Sequence, residues 1–230
     1  MRRIVFTLAL IGGFFSAMAQ DGGGSGVAKK ALQKSSDFLL VELSYDAWSG
    51  LPSGVKTGFN RGFNTYFMYD VKLQPHLSIA PGVGFGTSGI FLKGYRLDNS
   101  DGNVSTVPSL SSTDNKGRFK VATTYFDIPV ELRYRANSDN ANKGFKAAIG
   151  IKAGYLLNAH TKEVLSVNNS RVVEKEISRR YFNNFRFAAT ARVGLGPIGL
   201  FGSYNLNPIF KNTSQLDPTC YSIGIYVSGL

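Results

Sequence analysis

Between Tyr125 and Leu157, apolar and polar residues alternate along two consecutive stretches. Phe126, Ile128, Val130, Leu132 and Tyr134 face one way, and Asp127, Pro129, Glu131, Arg133 and Arg135 the other. This period of two predicts a β-strand with one apolar side. A polar turn, Ala136 to Lys143, leads to a second strand. Here Phe145, Ala147, Ile149, Ile151, Ala153, Tyr155 and Leu157 alternate with Lys146, Ala148, Gly150, Lys152, Gly154 and Leu156. The polar side mixes charges of both signs with Gly and Ala. Small residues have no reason to gather on a solvated face, whereas inside a narrow barrel charges pair and glycines leave them room. Each apolar side also carries an aromatic residue at both ends, as a lipid-facing strand does.

The same alternation recurs along the chain. Strands are predicted over Phe38 to Trp48, about Phe63 to Lys72, and from Leu77 past Phe85. Later ones cover Phe185 to Leu195, Ile198 to Leu206 and Thr219 to Leu230. With the central hairpin these make an even number, eight, and their connections alternate between short and long. Gln74-Pro75-His76 and Gly196-Pro197 are tight turns, while Ile90 to Lys116 and Asn158 to Asn184 read as long outer loops. The predicted fold is all-β: an eight-stranded antiparallel up-and-down transmembrane β-barrel with short periplasmic turns and long extracellular loops. Tyr45, Phe63, Phe126, Tyr155, Phe185, Tyr204 and Tyr221 fall at its outer rim, and Phe38, Tyr69, Tyr134 and Phe145 nearer the inner one. Pro81 and Pro129 sit in strands without a free edge, which predicts a bulge or broken pairing beside them.

The N-terminus changes the setting. Arg2 and Arg3, an apolar run from Ile4 to Phe15 and Ala17-Met18-Ala19 form a signal peptide, residues 1–19, cleaved between Ala19 and Gln20. The run is too short for a spanning helix, which needs about 20 residues. Residues 20–37, with Gly22-Gly23-Gly24-Ser25-Gly26 and Lys29, Lys30 and Lys34, are a flexible periplasmic lead-in by composition. Residues 38–230 form the barrel, placed in the outer membrane of a Gram-negative bacterium. The single cysteine, Cys220, allows no disulfide within the chain and reads as an inert small residue. The formal charge is +11, two lower once Arg2 and Arg3 leave. An exported basic chain faces anionic lipid or polysaccharide, so lipopolysaccharide is an expected partner and nucleic acid is not.

Eight strands enclose room for side chains and no open channel. By parity the lumen holds Glu42, Asp46, Asp70, Asp127 and Glu131 against Lys72, Arg133, Arg135, Lys146, Lys152, Arg186 and Arg192, which predicts a network of ion pairs. A selective ion path is the sharper alternative. No catalytic, cofactor or metal site stands out, and an enzyme is not expected. His76 and His160 are the two histidines; His160, Glu163 and Ser166 in one polar loop are expected by chance. Asp98 to Gly102 lacks the terminal Glu of a calcium loop and reads as an Asx-rich turn. The net positive stretch from Lys162 to Arg180 reads first as a solvated loop and second as a contact for anionic partners. A soluble exported barrel of lipocalin type, binding a small apolar ligand, would need the two strand faces exchanged.

The run Tyr125-Phe126-Asp127-Ile128-Pro129-Val130-Glu131-Leu132-Arg133-Tyr134 resembles the Y-[LF]-[DE]-I-P-x-x-L-x-Y strand of the PorT-like outer-membrane β-barrel proteins of Bacteroidota. Gly150 to Tyr155 is similar to that family's following strand, and Tyr204 to Phe210 to the end of its seventh. The resemblance implies a non-enzymatic barrel acting through its loops, or as an accessory of an envelope complex such as a type IX secretion system.

Overall fold

The alternating stretches do become strands, and three of them run further than the alternation alone implied. The computed structural model describes residues 38–51, 55–93, 95–98, 109–112, 118–137, 143–167, 170–179, 181–211 and 218–229. The signal peptide with Ala19 and Gln20, and the lead-in 20–37, lie outside the described residues. In chain order the strands are β1 (Leu39–Ser49), β2 (Lys56–Thr57), β3 (Arg61–Met68), β4 (Val71–Gln74), β5 (Leu77–Lys93), β6 (Tyr95–Asp98) and β7 (Ser109–Ser112). They continue with β8 (Arg118–Arg135), β9 (Phe145–Val167), β10 (Ser170–Ile177), β11 (Phe185–Leu195), β12 (Ile198–Asn205) and β13 (Thr219–Ser228).

Eight of these, β1, β3, β5, β8, β9, β11, β12 and β13, pair antiparallel, each with the next. The ring closes where β13 returns to β1, from Leu40 opposite Ser228 to Ser49 opposite Thr219. The result is a closed eight-stranded barrel with no edge at membrane level, so the strands find their backbone partners inside the sheet, except beside Pro81 where the β5–β8 ladder is interrupted. The other strands are appendages. β2 adds to the outer end of β5, β4 pairs with its base, β10 folds back on β9, and β6 and β7 pair with each other. Gly196, at φ 60°, opens the two-residue turn between β11 and β12, a conformation a side chain would strain.

The apolar faces point outward. Ile149 and Ile151 each expose 64% of their surface, and Val83, Ile128, Leu132, Leu200, Ile223 and Ile225 are exposed with them. That orientation removes the lipocalin-type reading, whose apolar faces would turn inward. Phe85, Phe126, Tyr155 and Phe185 stand in register across four strands as a band of rings on this outer surface. Neighbouring centroids in the band lie 5.6 Å (Phe85 and Phe126) and 5.5 Å (Tyr155 and Phe185) apart.

Beyond that band the strands exchange the chemistry of their faces. Along β8 the inward positions are Asp127, Glu131, Arg133 and Arg135 at one end, then Tyr125, then Val121 and Phe119. On β5 inward Gly86 and Ser88 give way to Ile90 and Leu92, while Lys93 is exposed. β9 adjusts by a bulge. Tyr125 pairs with Leu156 and Thr124 with Asn158, which leaves Leu157 as the extra residue, and the inward side passes from Lys152 and Leu156 to Ala159. A strand in hydrocarbon is apolar outside and a strand in water is apolar inside, so the exchange marks the level at which the barrel leaves the membrane.

One sequence expectation changes here and another is met. Asn158 to Asn184, expected as a loop, is largely the extended end of β9 and its partner β10, because sheet pairing with β8 continues to satisfy the backbone above the membrane. At the prolines, the β5–β8 ladder stops at Pro81 opposite Val130 and resumes at Gly84 opposite Asp127 without a change of register. Pairing is broken there, and no bulge forms.

Candidate functional site: the filled lumen and its outer mouth

The inward side chains at membrane level gather into charged groups. In the first, Arg186 donates to Asp127 from Nε at 3.0 Å and from Nη2 at 2.5 Å. The Tyr66 hydroxyl donates to the same carboxylate at 3.0 Å, Lys152 Nζ reaches that hydroxyl at 3.4 Å, and the Arg186 guanidinium lies 4.2 Å above the Tyr125 ring. Room for this group comes from glycine: a Cβ at Gly86 or Gly154 would collide with Asp127 and Arg186. In the second group Glu131 accepts from Arg192 Nε and Arg133 Nε, both at 2.9 Å, and Arg133 Nη1 donates to Asp70 at 2.9 Å. Arg135 also pairs with Asp70, and Arg192 lies 4.6 Å from the centre of the Tyr226 ring. Lys146 Nζ reaches Ser228 Oγ at 3.2 Å.

Two carboxylates are held by neutral donors. Glu42 accepts from Asn64 Nδ2 at 2.9 Å, and Asp46 from Ser44 Oγ at 2.6 Å and Ser88 Oγ at 2.5 Å. Of the twelve residues that parity placed in the lumen, ten are buried, and Asp70 keeps a buried side chain on a half-buried residue. Lys72 is the correction. It is exposed on β4: the register of β3 with β5 runs on unchanged and sets Lys72 opposite inward Ser78, but at the periplasmic end of the barrel, where the lumen side opens to solvent. Asn64 and Tyr66, on the inner side of β3, donate to Glu42 and Asp127, a role that only the cross-strand geometry shows.

Above the charges the mouth is closed by an apolar cluster. Trp48, Ile90, Leu92, Phe119, Val121, Tyr125, Leu156 and Ala159 line it, and Phe182, Ile209 and Phe210 enter from two outer connections. Phe210 meets Trp48 edge-on with centroids 5.7 Å apart and Phe182 at 5.2 Å. The two connections are stitched together: Asn183 Nδ2 donates to the carbonyls of Pro208 (2.8 Å) and Phe210 (2.9 Å), and Lys211 N to Tyr181 O at 2.8 Å. Cys220 packs half-buried at the edge of this cluster. Sequence parity missed Phe182, Ile209 and Phe210 because they lie in connections; the apolar pair Ile209-Phe210 after Pro208 was the available signal.

The residues weighed for catalysis do not converge. His160 pairs with outward Ala122 and Glu163 with inward Phe119, so the two lie on opposite faces of β9. Burial, and then Lys175, Lys120 and Lys162, hold the His160 imidazole, outside the membrane, below its ordinary pKa. His76 Nδ1 lies 2.8 Å from the Arg135 carbonyl in the turn after β4. Residues 99–102 of the Asx-rich turn lie outside the described residues. Among the described residues, no three His, Cys, Asp or Glu side chains gather to hold a metal ion.

The family described as outer membrane protein beta-barrel domain matches residues 20–211. The chain belongs to that family. Its place is the Gram-negative outer membrane. Among solved structures it is similar to Ail, the attachment invasion locus protein of Yersinia pestis, determined in complex with the heparin analogue sucrose octasulfate. The identity is 12%, 83% of this chain and 94% of that chain are covered, and the TM-score is 0.32. No curated protein matches. In an outer-membrane barrel of this kind, the charged groups hold the strands against one another from inside while lipid holds them from outside.

Proposed function

We propose that this barrel is a PorT-like, non-enzymatic protein of the outer membrane that works by contact, as an accessory of an envelope complex of the type IX secretion kind. The observation that carries this reading is the filling of the lumen: ion pairs occupy it at membrane level and an apolar cluster occupies the mouth. A barrel filled in this way offers its rims and loops as working surfaces. The Tyr125 to Tyr134 motif supports the PorT-like assignment, and the basic outer surface supports lipopolysaccharide as a partner in addition to envelope proteins.

Two measurements test the reading. In planar bilayers the purified barrel is expected to give no steady conductance of porin size, and a stable open pore would overturn the contact role. In cells, photo-crosslinkers placed at exposed Phe59 and half-buried Lys211 of the outer rim are expected to capture the same envelope protein repeatedly. Deletion of the gene with normal secretion and no crosslinked product would remove the accessory role.

A further inference from the structure

Above the aromatic band, the outward face of the extended β5–β8–β9–β10 sheet carries, among the described side chains, cations and no carboxylate. Its rows follow from the register. Gly89, Ala122, His160 and Ile177 stand side by side, and in the next row Phe91, Lys120, Lys162 and Lys175. Lys93 and Arg61, also exposed, extend the strip at its upper and lower edges. Three lysines directly opposite one another on adjacent strands repel, which a sheet selected only for stability avoids.

The acidic residues of the same hairpin whose side chains are described, Glu163 and Glu176, are sorted to the other face. Glu163 is in register with Glu174, and Thr161 with Glu176, the rows that alternate with the lysine row. Among the described residues no carboxylate forms a salt bridge with Lys120, Lys162 or Lys175; Lys120 lies over the Phe91 ring, 5.2 Å from its centre. A solvated charged hairpin has no reason to separate its signs by face. A surface that meets an anionic layer on one side has one.

The height of the row identifies that layer. From Phe126 in the aromatic band to Lys120 the strand climbs about 20 Å, or about 15 Å along the barrel axis at the usual tilt. The band sits at the interface, so the lysines stand level with the sugars attached to the outer-leaflet lipid. We infer that Lys120, Lys162 and Lys175, flanked by Arg61 and Lys93, form a docking face for the phosphorylated and carboxylated core saccharide of lipopolysaccharide in the surrounding leaflet. This rests on the outer-membrane placement and names the lipid partner of the same barrel.

The test uses the full chain extracted from outer membranes in mild detergent, comparing wild type with the triple variant Lys120→Gln, Lys162→Gln, Lys175→Gln. Glycolipid retained per barrel is measured by mass spectrometry, and folding by the mobility shift between boiled and unboiled samples. Wild type retains core-bearing lipopolysaccharide. The triple variant shows the same heat shift and binds it roughly a hundredfold more weakly, three outward cations having been removed from the face that meets the anionic layer. Replacing the three lysines by Arg preserves binding, and so does Lys72→Gln with Lys143→Gln at the far end.

Equal retention by the triple variant overturns the inference, as does equal binding of lipid A that lacks the core. Competition by millimolar inorganic phosphate alone, or capture of a polypeptide in place of glycolipid, also overturns it. Loss of the heat shift in wild type would instead overturn the membrane-barrel reading itself, which keeps the two failures apart.

Discussion

On β8, Asp127 and Phe119 both point into the barrel, yet one is held by Arg186 and Tyr66 and the other packs among Ile90, Leu92 and Val121. The first lies where lipid surrounds the barrel. There the outer face takes the apolar residues, and the inner face must differ in polarity if the strand is to have one register only. Charges in that interior have little water, so they survive as bonded pairs with glycine beside them. Phe119 lies beyond the aromatic band, where water surrounds the barrel, and the ordinary rule of an apolar inside returns. Environment, rather than strand geometry, decides which chemistry faces the lumen.

The largest expected effect strikes the membrane-level half. Asp127→Ala leaves the Arg186 and Lys152 cations without their carboxylate and should cost about 4 kcal/mol, read from urea unfolding of the refolded barrel. Asp127→Ala with Arg186→Leu should recover part of that loss. If the single variant is neutral, the ionic group is not what holds this half together.

At the mouth the corresponding change is Phe210→Ala, with an expected loss of about 3 kcal/mol from the emptied volume. Trp48, the only tryptophan, reports it directly: its emission should shift to the red as water reaches the Phe210 edge. An unchanged spectrum would mean that the mouth cluster does not exclude water.

The outer surface sharpens the contrast. Ile151→Arg puts a charge into hydrocarbon and should cost about 2 to 3 kcal/mol, whereas Ala122→Arg, above the aromatic band, should be neutral. Equal costs at both positions would misplace the membrane boundary drawn from the exchange of faces.

The smallest effect concerns His160. Its folded pKa is lowered, so between the folded and ordinary values the unfolded chain holds a proton that the folded chain lacks. Stability should therefore fall slightly as pH drops from the ordinary imidazole range towards the folded value, then level off. An NMR titration should place the midpoint low, and Lys175→Gln should raise it.

Much of this was legible from alternation alone. Period two assigns inside and outside without any contact being known, because successive side chains in a strand point to opposite faces. Strand number, closure and ten buried lumen charges followed from that rule together with the spacing of turns. Tertiary structure decided what alternation cannot carry. Lys72 keeps its parity but lies at the open end of the barrel, where the inner face meets solvent, and the bulge at Leu157 shifts parity in mid-strand. Cross-strand register alone brings Asp127 to Arg186, Glu131 to Arg192 and three lysines into one row, since those partners are tens of residues apart and meet only when the sheet closes.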